Sequence, residues 1–193
     1  MSNLRNFATV IFTTVLFVSC SNDDDITPEP INEEEVITTM TVTLVPDGGG
    51  TEVVLSFQDL DGDGPDAPNV NVSGSLAPGA TYNGSIVLLN ETESPAEDIT
   101  EEVKEEDLDH QFFYTIGTGL DVTTAYSEEP GTGLDSEGNF LGVKFTLTTG
   151  AESSGSLTFT LRHEPTKPNT GLVDAEGETD IEVAFDIEVV ELG

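Results

Sequence analysis

An all-β fold, an antiparallel β-sandwich of about nine strands of the immunoglobulin-like or jelly-roll-like kind, follows from three features of this sequence. Short runs of β-branched and aromatic residues alternate with a period of two. Clusters of Gly, Asp, Asn and Pro separate the runs. Only one stretch, near 95–107, carries helix signals.

The runs locate the strands. From Val36, residues Ile37, Thr39, Thr41, Thr43 and Val45 alternate with Thr38, Met40, Val42 and Leu44, which predicts the first strand. The turn Pro46-Asp47-Gly48-Gly49-Gly50 leads to a second, Glu52 to Phe57, and the two are expected to pair as a hairpin. Further strands are predicted over 70–73, 81–89, 111–116, 120–126, 141–148, 156–163 and 180–190. The last alternates most cleanly, with Ile181, Val183, Phe185, Ile187 and Val189 on a dry face and Asp180, Glu182, Asp186 and Glu188 on a wet one. The helix candidate opens at Ser94 as cap, with Pro95 in its first turn and acids that suit the positive end of a helix dipole. Ile99 and Val103 lie four apart, so a short surface helix on a sandwich edge is expected.

Ahead of the strands the chain has a different character. Arg5 precedes an apolar run, Phe7 to Val18, too short to span a bilayer and shaped like the h-region of a secretory signal. Ser19-Cys20 at its end resembles the lipobox of bacterial lipoproteins, which implies cleavage before Cys20 and lipidation of that residue. Ser21-Asn22-Asp23-Asp24-Asp25 resembles the acidic export signal of surface-displayed lipoproteins of the Bacteroidetes. Residues 21–35 carry Pro28 and Pro30, many carboxylates and no apolar periodicity, as a hydrated tether would. The expected organisation is therefore a signal peptide over 1–19, a lipidated Cys20 and acidic tether to 35, and one sandwich domain over 36–193. Such a protein would sit on the outer membrane, lipid-anchored and facing the cell surface.

Charge narrows the partners. The chain holds 38 acidic and 5 basic residues, for a formal net charge of −33, and Arg5 is the one base in the leader. A field of that sign repels nucleic acid and attracts cations. With Cys20 the sole cysteine, no thiol is left for a disulfide or a thiolate metal site once it is acylated.

Two constellations could hold a cation. Asp59, Asp61, Asp63 and Asp66, around Gly62 and Gly64, alternate as in the first half of an EF-hand loop, which suits Ca²⁺. Val70 stands where the bidentate glutamate would be needed, so an acidic loop with glycine turns is the other reading. A weaker echo, Asp135-Ser136-Glu137-Gly138-Asn139, reads as a hairpin turn. The second constellation is His110 and His163, the only two histidines. His110 shares strand parity with Phe112, Tyr114 and Ile116, and His163 with Leu157, Phe159 and Leu161. If their strands are antiparallel neighbours, both imidazoles meet at one rim of the sandwich, near Asp109 and Glu164. Two imidazoles and a carboxylate suit Zn²⁺ or Cu²⁺; alternatively each histidine closes a core face through local hydrogen bonds.

Catalysis finds little footing. No Gly-x-Ser-x-Gly elbow accompanies either histidine, and without Trp the chain lacks the usual sugar platform of a glycosidase. A binding module, rather than an enzyme, is expected.

The segments Asn32-Glu33-Glu34-Glu35-Val36-Ile37-Thr38-Thr39-Met40, Asn90-Glu91-Thr92-Glu93-Ser94-Pro95, His110-Gln111-Phe112-Phe113-Tyr114 and Leu161-Arg162-His163-Glu164-Pro165 make the chain similar to a family of short flavobacterial lipoproteins. Members are often labelled type 1 periplasmic binding fold proteins, but that fold needs two α/β lobes and this pattern is all-β. The resemblance implies a surface lipoprotein. Location, charge and histidine placement then point to capture of a metal ion or metal-containing nutrient, such as haem, for an outer-membrane TonB-dependent receptor. The other expectation is a calcium-stabilised adhesion or envelope-assembly module that binds protein or glycan.

Overall fold

The computed structural model describes residues 35–62 and 64–191. The segment expected as signal peptide, Cys20, the expected tether up to residue 34 and Asp63 lie outside the described residues.

The chain folds as β1 (Thr39–Pro46), β2 (Val53–Gln58), β3 (Asn69–Val72), β4 (Thr81–Asn90), β5 (Glu97–Asp98), α1 (Ile99–Glu105), β6 (His110–Ile116), β7 (Val122–Tyr126), β8 (Lys144–Thr149), β9 (Ser153–His163) and β10 (Glu178–Val189). All pairings between these strands are antiparallel. The larger sheet runs β3-β2-β1-β4-β8-β7, with β5 paired to the end of β4; the smaller runs β10-β9-β6. This is an all-β sandwich with one short helix. The hairpin of β1 and β2 forms around the predicted glycine turn, in the register Leu44↔Val53 to Thr39↔Gln58.

Alternation builds the core. Met40, Val42 and Leu44 of β1, Tyr82, Ile86 and Leu88 of β4, and Phe145 and Leu147 of β8 face inward from the larger sheet. Phe112 of β6, Leu157, Phe159 and Leu161 of β9, and Val183, Phe185, Ile187 and Val189 of β10 meet them from the smaller. Each such side chain contributes about 1.5–3 kcal/mol by leaving water. Four rings link the layers, since Phe159 stacks edge-on against Tyr114 and Phe185 and Phe145 lies 5.6 Å from Phe159.

The helix begins later than its sequence signals indicate. Glu97 and Asp98 pair with Asn90 and Leu89 as β5, so these acids belong to a strand. Asp98 then caps α1, its carboxylate accepting from the Thr100 amide at 3.0 Å, and Ser94 does not serve as the cap. Ile99 and Val103 are buried as their spacing requires. Thr100 fastens the helix to the sheet, because its buried hydroxyl accepts from the Leu88 amide at 2.8 Å.

Candidate metal centre

The smaller sheet brings both histidines together. His110 opens β6 and His163 closes β9, and the antiparallel register makes them direct partners. Both side chains point into the sandwich, and their ring centroids lie 4.6 Å apart.

The carboxylates beside them are Glu35 and Asp180. Asp109 and Glu164, each adjacent in sequence to a histidine, are exposed, because neighbouring residues of a strand point to opposite faces. They are joined instead through their main chains, the Glu164 amide donating to the Asp109 carbonyl at 2.6 Å.

Asp180 arrives through a bulge. In the β9–β10 ladder Thr179 pairs with Arg162 and Ile181 with Leu161, so Asp180 has no position opposite it. An inserted residue of this kind re-aims its side chain. The parity that put Asp180 on the wet face with Glu182 therefore fails at this one residue, and its side chain is only 1% exposed. Glu35 precedes β1 and turns its carboxylate inward, with a side chain 7% exposed, so the domain starts at least one residue earlier than the composition of the tether suggests.

The four groups form a compact set. His110 Nε2 lies 3.0 Å from Glu35 Oε1 and 3.8 Å from Asp180 Oδ2; His163 Nδ1 lies 3.4 Å from Glu35 Oε2 and 3.6 Å from Asp180 Oδ1. One ligand atom from each residue falls within 4.8 Å of every other. Two of the four separations, those to Asp180, exceed a hydrogen bond. His110 Nε2 and Glu35 Oε2 are both buried with no hydrogen-bond partner. The four distances run through both oxygens of each carboxylate, so each acid spans the two rings and offers either oxygen to an ion held between them.

The tautomer also fits ligation. His110 Nδ1 lies 3.1 Å from the Glu106 carbonyl oxygen, which can only accept, so Nδ1 donates there and Nε2 is the nitrogen turned toward the cluster. Burial alone would push the His110 imidazole down, but the Glu35 carboxylate, the Glu106 carbonyl and the Asp180 carboxylate outweigh it and hold the group above its ordinary range. Burial likewise would raise the Glu35 carboxyl, and the two imidazoles hold it below its usual value instead. The two carboxylates match the charge of a divalent ion, and a set of two imidazole nitrogens and two carboxylates suits Zn²⁺, Cu²⁺ and their neighbours better than oxygen-seeking Ca²⁺.

A buried cation braces the site from behind. Lys167, which composition and spacing gave no reason to single out, donates to the carbonyls of His110 at 2.6 Å and Asp107 at 2.7 Å and pairs with Asp135 at 3.1 Å. Asp135 also accepts from the Glu137 and Asn139 amides, so the predicted turn there is a loop closed around a buried carboxylate.

The other acidic constellation is spread out. Asp59 is half-buried, and Asp61 and Asp66 are exposed. The Asp59 carboxylate accepts from the Asp61 and Gly62 amides, and that of Asp61 from the Asp66 amide, so two of the three are engaged in closing their own loop. Among the described residues, the group of histidines and acids placed to share an ion is Glu35, His110, His163 and Asp180.

No protein-family model, curated protein or solved structure matches this chain.

Proposed function

We propose that this protein is a lipid-anchored, surface-exposed outer-membrane lipoprotein whose sandwich domain captures a divalent transition-metal ion for a TonB-dependent receptor. The observation that carries the metal reading is the buried His110 Nε2, which lacks a hydrogen-bond partner and faces Glu35 Oε1 at 3.0 Å and Asp180 Oδ2 at 3.8 Å. The anchor rests on Ser19-Cys20 and the acidic run behind it, and the surface address on the likeness to flavobacterial lipoproteins. The ligand is an ion rather than haem, since side chains 0–7% exposed leave no face for a macrocycle. A substrate is shut out by the same burial, which disfavours an enzyme.

The burial of all four ligands also favours a second reading, in which the ion is a permanent staple in an adhesion or envelope-assembly module, as closed four-ligand sites usually are. Native mass spectrometry with elemental analysis, on protein purified without chelator, tests the shared premise. One transition-metal ion per chain is expected in the parent and none in the double variant His110→Ala, His163→Ala. Calcium alone in both, or no metal in the parent, would overturn it.

A further inference from the structure

An ion can reach four buried ligands only if one of them moves aside. Three are fixed to one another: His110, His163 and Asp180 stand on β6, β9 and β10, which form a continuous hydrogen-bonded ladder. Glu35 is different, for it lies four residues ahead of β1, in the other sheet, on a stretch over 35–38 that belongs to no strand. Exposure follows the same division. His110 and Asp180 form the deep side of the cluster at 0% and 1%, whereas Glu35 and His163 form its outer side at 7% and 6%.

Resting on the metal reading above, we infer that Glu35 and the segment 35–38 are the gate of the centre: the segment swings out to admit the ion and is clamped shut when Glu35 ligates it. The bound ion then ties the N-terminal edge of the larger sheet to all three strands of the smaller one. The hinge is Thr38, whose amide and hydroxyl donate to the Leu89 carbonyl at 3.0 and 3.1 Å while the hydroxyl accepts from the Glu91 amide at 2.8 Å. Outward of it, Val36 is 56% exposed. A cavity of about 340 Å³, lined by Val36, Ile37, Thr38, Asp59, Asp61 and Ile181, gives the segment space to shift and sets two carboxylates beside its path.

The probe is Co²⁺, which accepts mixed nitrogen and oxygen donors and reports its ligand geometry by visible absorption. The full chain is loaded with Co²⁺ and challenged with excess chelator, and amide hydrogen exchange over 36–38 is measured with and without the ion. Thr38→Val removes the hinge hydroxyl but no ligand, and it is expected to release Co²⁺ about tenfold faster with an unchanged spectrum, the loss of a hydrogen bond of ordinary strength. In the parent, exchange over 36–38 is expected to slow on loading. Release from Thr38→Val at the parental rate, or exchange over 36–38 that ignores the ion, would overturn the gate while leaving the metal centre standing. A parent that takes up no Co²⁺ would overturn the metal reading and the gate with it.

Discussion

His110 and His163 are register partners across the β6–β9 ladder, their rings 4.6 Å apart and tilted by 45°, and both are buried. On the proposed reading a divalent ion stands between the two rings and the carboxylates of Glu35 and Asp180. Binding that favours the folded state raises its stability, by about 2.7 kcal/mol when free ion stands at a hundred times its dissociation constant. For a chain of this size each kcal/mol moves the midpoint by about 2–4 °C. Stripping the metal should therefore lower Tm by roughly 5–10 °C, read by calorimetry before and after chelation, and Zn²⁺ but not Mg²⁺ should restore it.

The bulge at Asp180 separates the site from the fold, because Thr179 and Ile181 pair with the consecutive residues Arg162 and Leu161. Deleting Asp180 should thus close the ladder into regular pairing, with Ile181, Val183 and Phe185 still facing the core. The expected outcome is a folded protein whose Tm in chelator stays within a few degrees of the parent, but which no longer binds Zn²⁺ by isothermal titration. Loss of the fold would mean that the inserted residue also sets the register of β10.

Much of this was legible beforehand, and the failures have local causes. Strand positions emerged because alternation in a half-buried sheet leaves a period of two, and each of the nine expected strands has a counterpart in the structure. The inward direction of both histidines came from the same parity. Asp180 escaped because a bulge breaks parity without leaving a mark in composition: it reads as the ordinary wet start of the strand over 180–190. Glu35 escaped for another reason, since it ends an acidic run in which nothing distinguishes the one carboxylate that turns inward. The signal that could have found both is chemical. Two inward histidines in so acidic a chain call for buried carboxylates, and residues flanking a histidine along its strand face the wrong way to supply them.

Lys167 and Asp135 form a buried pair, with side chains 6% and 0% exposed. Burial would raise the Asp135 carboxyl, but the Asn139 amide and the Lys167 ammonium outweigh it and hold the group below the usual carboxylate range. A group depressed in the folded state contributes stability that is complete above its unfolded pKa, near 3.9, and is lost as pH falls through the lower folded value. Acid unfolding monitored by circular dichroism should therefore show a shallower loss below about pH 4 in Asp135→Asn than in the parent. Lys167→Met, which strands the carboxylate, should cost about 3–5 kcal/mol at neutral pH in urea titrations. Because Lys167 also holds the His110 and Asp107 carbonyls, the same variant should weaken Zn²⁺ binding.

Gly84 and Phe145 are cross-strand partners on β4 and β8, and the buried Phe145 ring occupies the space a side chain at 84 would need. A Cβ added at Gly84 would meet the ring at 2.3 Å, too close for any rotamer adjustment at the glycine to relieve. Gly84→Ala should consequently destabilise the fold by about 1–3 kcal/mol, the usual cost of overpacking. Phe145 also touches Tyr114 and Phe159, so the displaced ring would press on the aromatic contacts that join the two sheets. Trimming the ring makes room, at the expense of those contacts. In a double-mutant cycle by urea denaturation, Gly84→Ala should therefore cost at least 0.5 kcal/mol less in a Phe145→Leu background than in the parent. Additive effects would mean that β4 and β8 part locally to admit the methyl group, and that the ring does not hold the two strands in place.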